Sequence, residues 1–493
     1  MKYTFKIMLS ALLITTSFGC KKQLDLFPYD SIAVEQSFQS VKDATAWNNG
    51  MYAFLRGRVY GIYTFSTDVQ GDQLNTSLDF GNRNGGPHRW DFNSDDYTIR
   101  DVWAGYYAAL RSINIFLKSV PRITPANATE DAQLKRYVAD AHFFRAYYYL
   151  NLVLRWAKAY DPATAAADPG VPLVLEYDPE AKPARSSVKE VYDQIIVDIN
   201  SAKAGLTSVT GALGSKRATI DAVLALEARV KLYMRDWAGA KAAADAVIAT
   251  GKYPLVTTEA AMKTMWVNDG TAETIFQLNA NATTETVNTN GIYLGYIAQT
   301  KFYRPDFIPS KWVVDEYPST DIRKPVYFKL DSLDIQGIKY RNIYLVHKFE
   351  GNPALFTGAA TNYAHAPKIF RIAEMYLIAA EAGYRAASED ALTRLNQLRI
   401  SRGLTSVNVS GAALFAEIKS ERFRELAFEG FRLDDLKRWN EGFTRRDPQN
   451  TTILTTGANY FALTKAAGDN KFVWGVPAND MTINTNLVQN PGW

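Results

Sequence analysis

Two helical patterns with only two residues between them are the strongest constraint on how this chain can fold. Thr219 to Met234 places Ala225, Ala228 and Leu232 on one face. Trp237 to Ala249 keeps Trp237, Ala240, Ala244 and Val247 in step, and Arg235-Asp236 is the turn between the two. A 3.6-residue apolar period marks each stretch as helix. Alanine at the contact positions lets two helices approach closely, and an aromatic ring fills the gap beside them.

A helical pair of roughly 34 residues with this composition resembles a tetratricopeptide unit. The pattern returns at 367–402, where Ile372, Met375, Ala379 and Ala382 precede a helix expected from Glu389 to Ile400. A third helix is expected from Ala412 to about Gly430. Earlier, Leu134, Tyr137, Ala141, Phe144, Tyr148 and Leu152 recur every three or four residues, and Ser187 with Glu190 forms a capping box ahead of Tyr192, Ile195 and Ile199. Between these blocks lie long aromatic stretches rich in Gly, Asn and Pro, at about 56–100, 270–365 and 440–493. They are too long for ordinary connections and carry function or short strands of their own. The expected fold is mostly α: a tetratricopeptide-like helical-pair scaffold with large inserted loop regions carrying short strands, forming one domain over 36–493.

The first residues point to export. Lys2 and Lys6 precede a mostly apolar run from Ile7 to Phe18, too short to span a bilayer. The run ends at Ser17-Phe18-Gly19-Cys20, and Cys20 is the only cysteine in 493 residues. A small residue ahead of that cysteine resembles a bacterial lipobox. Residues 1–19 are thus expected as signal peptide, Cys20 as the lipidated first residue, and 20–35 as a polar tether. Stable anchoring by lipid takes more than one acyl chain. With one cysteine there is no intrachain disulfide and no cysteine-based metal site. The four histidines, at 88, 142, 347 and 365, show no ligand spacing, so neither metal nor cofactor is expected. Lys+Arg at 55 against Asp+Glu at 51 gives no electrostatic case for nucleic acid.

No GxSxG, HExxH, Walker A or CxxC occurs. The remaining enzymatic candidates are carboxylates four apart, Glu421, Glu425 and Glu429. Their spacing, about 5–6 Å for i and i+4 on a helix, is compatible with a glycosidase pair. Arg422, Arg424 and Arg432 surround them, however, and nearby arginine opposes the raised pKa that a catalytic acid needs.

The stretch carrying these acids, Glu421-Arg422 through Glu425-Leu426, Glu429-Gly430, Arg432, Asp435-Leu436 and Arg438-Trp439, resembles the ER-x-x-EL-x-x-EG-x-R-x-x-DL-x-RW signature of the SusD/RagB-like nutrient-binding lipoproteins of the Bacteroidetes outer membrane. Other pieces occur in the family's order. These are Trp103, Tyr107, Leu110 and Asn114; Ala141 to Leu152; the Gly170-Val171-Pro172-Leu173 turn; Tyr317 to Arg323; and the Asn490-Pro491-Gly492-Trp493 end. The stretch 156–170 is longer than the family's usual passage here. The resemblance implies a surface receptor for glycan or another nutrient, without hydrolytic activity, held to the outer membrane by lipid alone. It also implies a partner, a SusC-like TonB-dependent transporter. The signature residues Glu421, Arg422, Glu425, Glu429, Gly430, Arg432, Asp435, Arg438 and Trp439 read as structural, with Gly430 ending a helix and Trp439 packing beneath it.

Sugars present apolar C–H faces and many hydroxyls, so their sites combine flat aromatic rings with amides, carboxylates and guanidinium groups. Two loop regions offer that mixture. The first contains Asp72, Arg83, Trp90 and Asn93, and the second Tyr293, Tyr296, Tyr303 and Arg304. Trp90, in a polar glycine-rich loop, is the expected stacking platform, and Trp312 is expected in the core. The competing readings are a surface glycoside hydrolase and a helical-repeat assembly scaffold without a small ligand.

Overall fold

The computed structural model describes residues 37–357, 362–455 and 461–493; the signal peptide, Cys20 and the tether lie outside the described residues. The chain opens with α1 (Val41–Arg56), α2 (Ile62–Gln70), β1 (Leu74–Thr76), α3 (Gly85–Arg89), α4 (Tyr97–Ser119), α5 (Ala128–Trp156) and α6 (Val188–Leu206). The helical pair follows as α7 (Ile220–Tyr233) and α8 (Trp237–Ala249), then α9 (Glu259–Val267). The middle holds β2 (Thr274–Gln277), β3 (Tyr296–Ile297), β4 (Phe302–Tyr303), β5 (Phe307–Pro309), α10 (Lys311–Asp315), α11 (Lys324–Tyr327), β6 (Phe328–Ile335) and β7 (Ile338–Val346). The last part comprises β8 (Lys368–Arg371), α12 (Ile372–Arg385), α13 (Ala391–Ser401), α14 (Gly411–Leu426), α15 (Arg432–Trp439), β9 (Phe443–Thr444), β10 (Thr464–Lys465) and α16 (Ala478–Ile483).

The helical-pair reading holds in detail. Thr219 caps α7 by accepting from the Ala222 amide, and Asp236 caps α8 by accepting from Gly239. Arg235 takes a left-handed conformation (φ 61°) to reverse the chain in two residues. Ala225, Ala228, Ala240 and Ala244 are fully buried, and α12, which buries alanines of its own, packs on α8. The capping box before α6 forms as expected, with the Ser187 amide donating to Glu190 Oε2 at 2.7 Å. Rings of α4, α5 and α6 fill one large core, with Trp103 edge-on to Trp156 at 5.1 Å.

Strands occupy the inserted regions as small sheets. β3-β4-β6-β7 form the largest, and β1–β5, β2–β8 and β9–β10 are pairs. β6 and β7 make a hairpin closed by Gln336-Gly337, both with positive φ (53° and 80°). Such a two-residue turn matches the strands' right-handed twist. The expectation of a loop over 56–100 needs correction, because α2, β1 and α3 lie there.

The helix expected to run to Gly430 ends at Leu426. Phe428 (φ 65°) and Gly430 (φ 82°) turn the chain out of helix. Glu421 and Glu425 therefore share a helix while Glu429 stands beyond it, and the turn carries the Gly430 amide to the Asp68 carboxylate at 3.2 Å. Trp439 is half-buried, its indole donating to Glu381 Oε1 at 2.9 Å.

Around that turn lies a buried ion network. Glu425 meets Arg371 at 2.6 Å, Arg402 at 2.9 Å and Arg323 at 3.0 Å. Arg323 also meets Glu421 at 2.7 Å and Asp321 at 2.7 Å, and Arg402 meets Glu273 at 2.8 Å. Glu429 takes the other end of Arg371 at 2.6 Å and Lys348 at 2.7 Å. Burial alone would raise these carboxyls, but the guanidinium groups outweigh it and hold Glu421, Glu425 and Glu429 below the usual carboxylate range.

Glu425→Ala would leave three buried guanidinium groups short of a partner, a loss on the order of 3–5 kcal/mol. A large fall in melting temperature or urea midpoint is expected; an unchanged midpoint refutes the structural role. The network also sets an acid limit. A carboxyl whose folded pKa is depressed contributes stability above its unfolded pKa of about 4.3 and loses it as pH falls through the folded value. Urea midpoints should hold their Glu425-dependent part down to about pH 5 and lose it steadily below that.

Candidate functional site

The two loop regions meet because β1 and β5 pair antiparallel, with Leu74 opposite Pro309 and Thr76 opposite Phe307. Arg83 then reaches Asp306 at 2.7 Å, and Arg304 reaches Asp79 at 3.4 Å. This pairing sorts the expected ligand residues into two groups.

Four of them are not surface groups, and the expectation is corrected. Trp90 is only 4% exposed. Its indole donates to the Gln70 carbonyl at 2.8 Å, and its ring packs edge-on to Phe443 and Phe472. It caps the short α3 in a left-handed conformation (φ 61°). Tyr293 is buried beside Phe349 and Phe428. Asp72 is buried and accepts from Nε and Nη2 of Arg432, at 2.9 and 2.7 Å. Tyr303 is buried, its hydroxyl bonded to Lys329 at 3.0 Å. Trp312, expected in the core, is half-buried and stacks on Phe423 at 4.8 Å.

Arg83 and Asn93 remain exposed, and Tyr296 is half-buried against Tyr303. Asn93 lines an open hollow of about 590 Å³ between α3 and the start of α4. That volume falls within the range of small-ligand sites. The aromatic surface here is Tyr97, which is 39% exposed. The Asp96 cap leads directly into α4 and puts Tyr97 at its first position. The Tyr97 hydroxyl donates to Asn84 Oδ1 and accepts from the Asn84 amide, both at 3.0 Å, which fixes the ring. Partial burial raises its phenol, so it stays a neutral hydroxyl. Alongside, Arg89 is held by Asp91 at 2.7 Å and Asn82 at 2.6 Å. A Cβ on Gly85 would lie 2.1 Å from Asn82 Oδ1, so any side chain there would push the exposed Asn82 amide aside. A smaller chamber of about 80 Å³ beside Tyr106, Arg155, Arg229 and Glu374 has room for a few waters and not for a sugar ring.

Tyr97 went unmarked in the sequence because it opens a helix whose other rings are core. The usable signal was its place directly after an N-cap aspartate, in the first turn. As for hydrolysis, Glu421 and Glu425 are fully buried and kept ionised by arginine, so this pair cannot supply a general acid. Among the described residues no group of His, Cys, Asp and Glu is arranged to hold a metal.

Two family models match the chain: the SusD family over residues 323–493, and "starch-binding associating with outer membrane" over residues 22–232. Together they span most of its length. The chain belongs to the SusD-like family. The SusD-like protein P38 of Formosa agariphila is 24% identical over 506 residues, covering 91% of this chain and 93% of the relative. A SusD superfamily crystal structure from Bacteroides thetaiotaomicron superposes with a TM-score of 0.77 at 24% identity, covering 92% of this chain and all of that one. A laminarin-binding SusD-like protein gives 0.69 at 21% identity, covering 92% of this chain and 100% of that one. In this SusD-like chain the C-terminal model spans most of the ion network and the N-terminal model spans the hollow.

Trp90→Ala empties a buried aromatic site. It should cost on the order of 3–5 kcal/mol and lower the melting temperature clearly, while sugar affinity of the folded fraction stays unchanged by titration calorimetry. A stable variant with lost affinity would restore Trp90 as a platform.

Proposed function

We propose that this SusD-like protein is a cell-surface glycan receptor that binds saccharide in the hollow around Tyr97 and Asn93. The observation that carries the reading is an exposed, hydrogen-bond-fixed aromatic ring set among amide, carboxylate and guanidinium side chains in an open site. A sugar's C–H face stacks on Tyr97, and its hydroxyls bond to Asn93 and to the Arg89–Asp91 pair. The described relatives support the class: one is called laminarin binding, and a Bacteroides vulgatus structure is called a putative sugar binding protein. The protein acts by binding and does not cleave its ligand. It is lipid-anchored through Cys20 to the outer membrane, faces outward, and passes its ligand to a SusC-like TonB-dependent transporter. Among the described residues no helix is long and apolar enough to cross a membrane, which fits attachment by lipid.

Calorimetry of the mature protein against a panel of oligosaccharides tests the binding reading. Tyr97→Ala should weaken the best ligand about tenfold, equivalent to about 1.4 kcal/mol, with little change in melting temperature. No binding across the panel, or equal affinity of the variant, refutes it. Cys20→Ala should release the protein from membranes or leave it unprocessed by mass spectrometry; retention at the mature size refutes the anchor. Purification from outer membranes should bring down a TonB-dependent channel.

A further inference from the structure

A second groove lies on the helical scaffold and shares no lining residue with the hollow at Tyr97. It encloses about 360 Å³ between the α7–α8 turn, the end of α12 and the end of α15. Two half-buried tryptophans line it, Trp237 at the first position of α8 and Trp439 at the last of α15. Its cations differ in their bonding. Arg438 is buried and bound to Glu381 and Asp435. Arg235 is paired with Asp161 at 2.8 Å. Arg385 is exposed and, among the described residues, has no carboxylate partner. Its guanidinium lies over the Phe415 ring at 4.2 Å and within 5.7 Å of the Trp237 ring centre. Phe415 is itself stacked on Tyr384 at 5.1 Å with 9° between planes.

These facts describe an oriented, uncompensated cation beside flat apolar rings. Stacking holds a guanidinium plane while leaving its N–H edge for a planar anion, which it binds in bidentate fashion. Indole rings beside it suit the C–H face of a pyranose. A neutral sugar would leave Arg385 without a counter-charge, and a simple anion would leave the tryptophans unused. We infer that the groove bounded by Trp237, Arg385 and Trp439 is a second binding site, for a carboxylate-bearing sugar unit. Its carboxylate pairs with Arg385 and its ring packs between the indoles. The inference does not depend on the Tyr97 site.

The test uses the mature protein with trigalacturonate and, as neutral counterpart, maltotriose. Trigalacturonate should quench tryptophan fluorescence saturably and more strongly than maltotriose, with affinity falling as salt rises. Arg385→Gln should weaken trigalacturonate at least about tenfold with an unchanged melting temperature, since Arg385 is an exposed side chain without an ion pair. Tyr97→Ala should leave trigalacturonate binding intact, which separates this site from the first. The inference is overturned by absence of saturable quenching in the wild type, by equal affinity for the two trisaccharides, or by an Arg385→Gln variant that binds like wild type. Loss on Tyr97→Ala with retention on Arg385→Gln also overturns it, placing the acidic sugar in the hollow instead.

Discussion

The Glu425 carboxylate is the point at which the structure is tied together. Three guanidinium groups converge on it from separate parts of the chain: Arg323 within the second inserted region just ahead of α11, Arg371 at the end of β8 and Arg402 just after α13. All four groups are buried. Taking such charges out of water is costly, and the cost is met only when every partner arrives in position. The network therefore acts less as a reservoir of stability than as a condition on assembly. The helical pairs and the inserted sheets have to dock in one arrangement for the charges to close.

The same region ties the scaffold to the loop side. Asp68, at the end of α2, accepts the Gly430 amide and the Gln73 side chain. Burial pushes its carboxyl up to about 7. Asp72 holds Arg432 across the same seam. Two acids of the first inserted region are thus bonded to the turn after α14 and to the first residue of α15, which sets the position of β1 and, through β5, of the second inserted region. The hollow at Tyr97 is built on that positioned frame. Its ring belongs to α4, a rigid helix anchored in the main core, and not to a free loop tip.

Much of this was legible in the chain. The helical pair with its two-residue turn and the capping box at Ser187 follow from spacing and from residue types that act within a few positions. The acids of the signature lie in the buried ion network, and their helix ends one turn before the periodicity suggests. Nothing in the periodicity of 412–430 marks the exit at Leu426. That exit exists because Glu429 and Gly430 are needed by Arg371, Lys348 and Asp68, which are remote in sequence.

Local chemistry determined the helical pair, its tight turn, the start of the helix after Ser187, and that aromatic and polar residues are concentrated in the connecting regions, because period, capping and turn preference operate over a few residues. Which aromatic ring faces water was decided only by the tertiary structure. Trp90 sits in a polar, glycine-rich segment, yet Gln70, Phe443 and Phe472 enclose it. Tyr97 opens a core helix, yet keeps much of its ring in solvent. The rings that bury Trp90 lie hundreds of residues away along the chain, and no local pattern contains them.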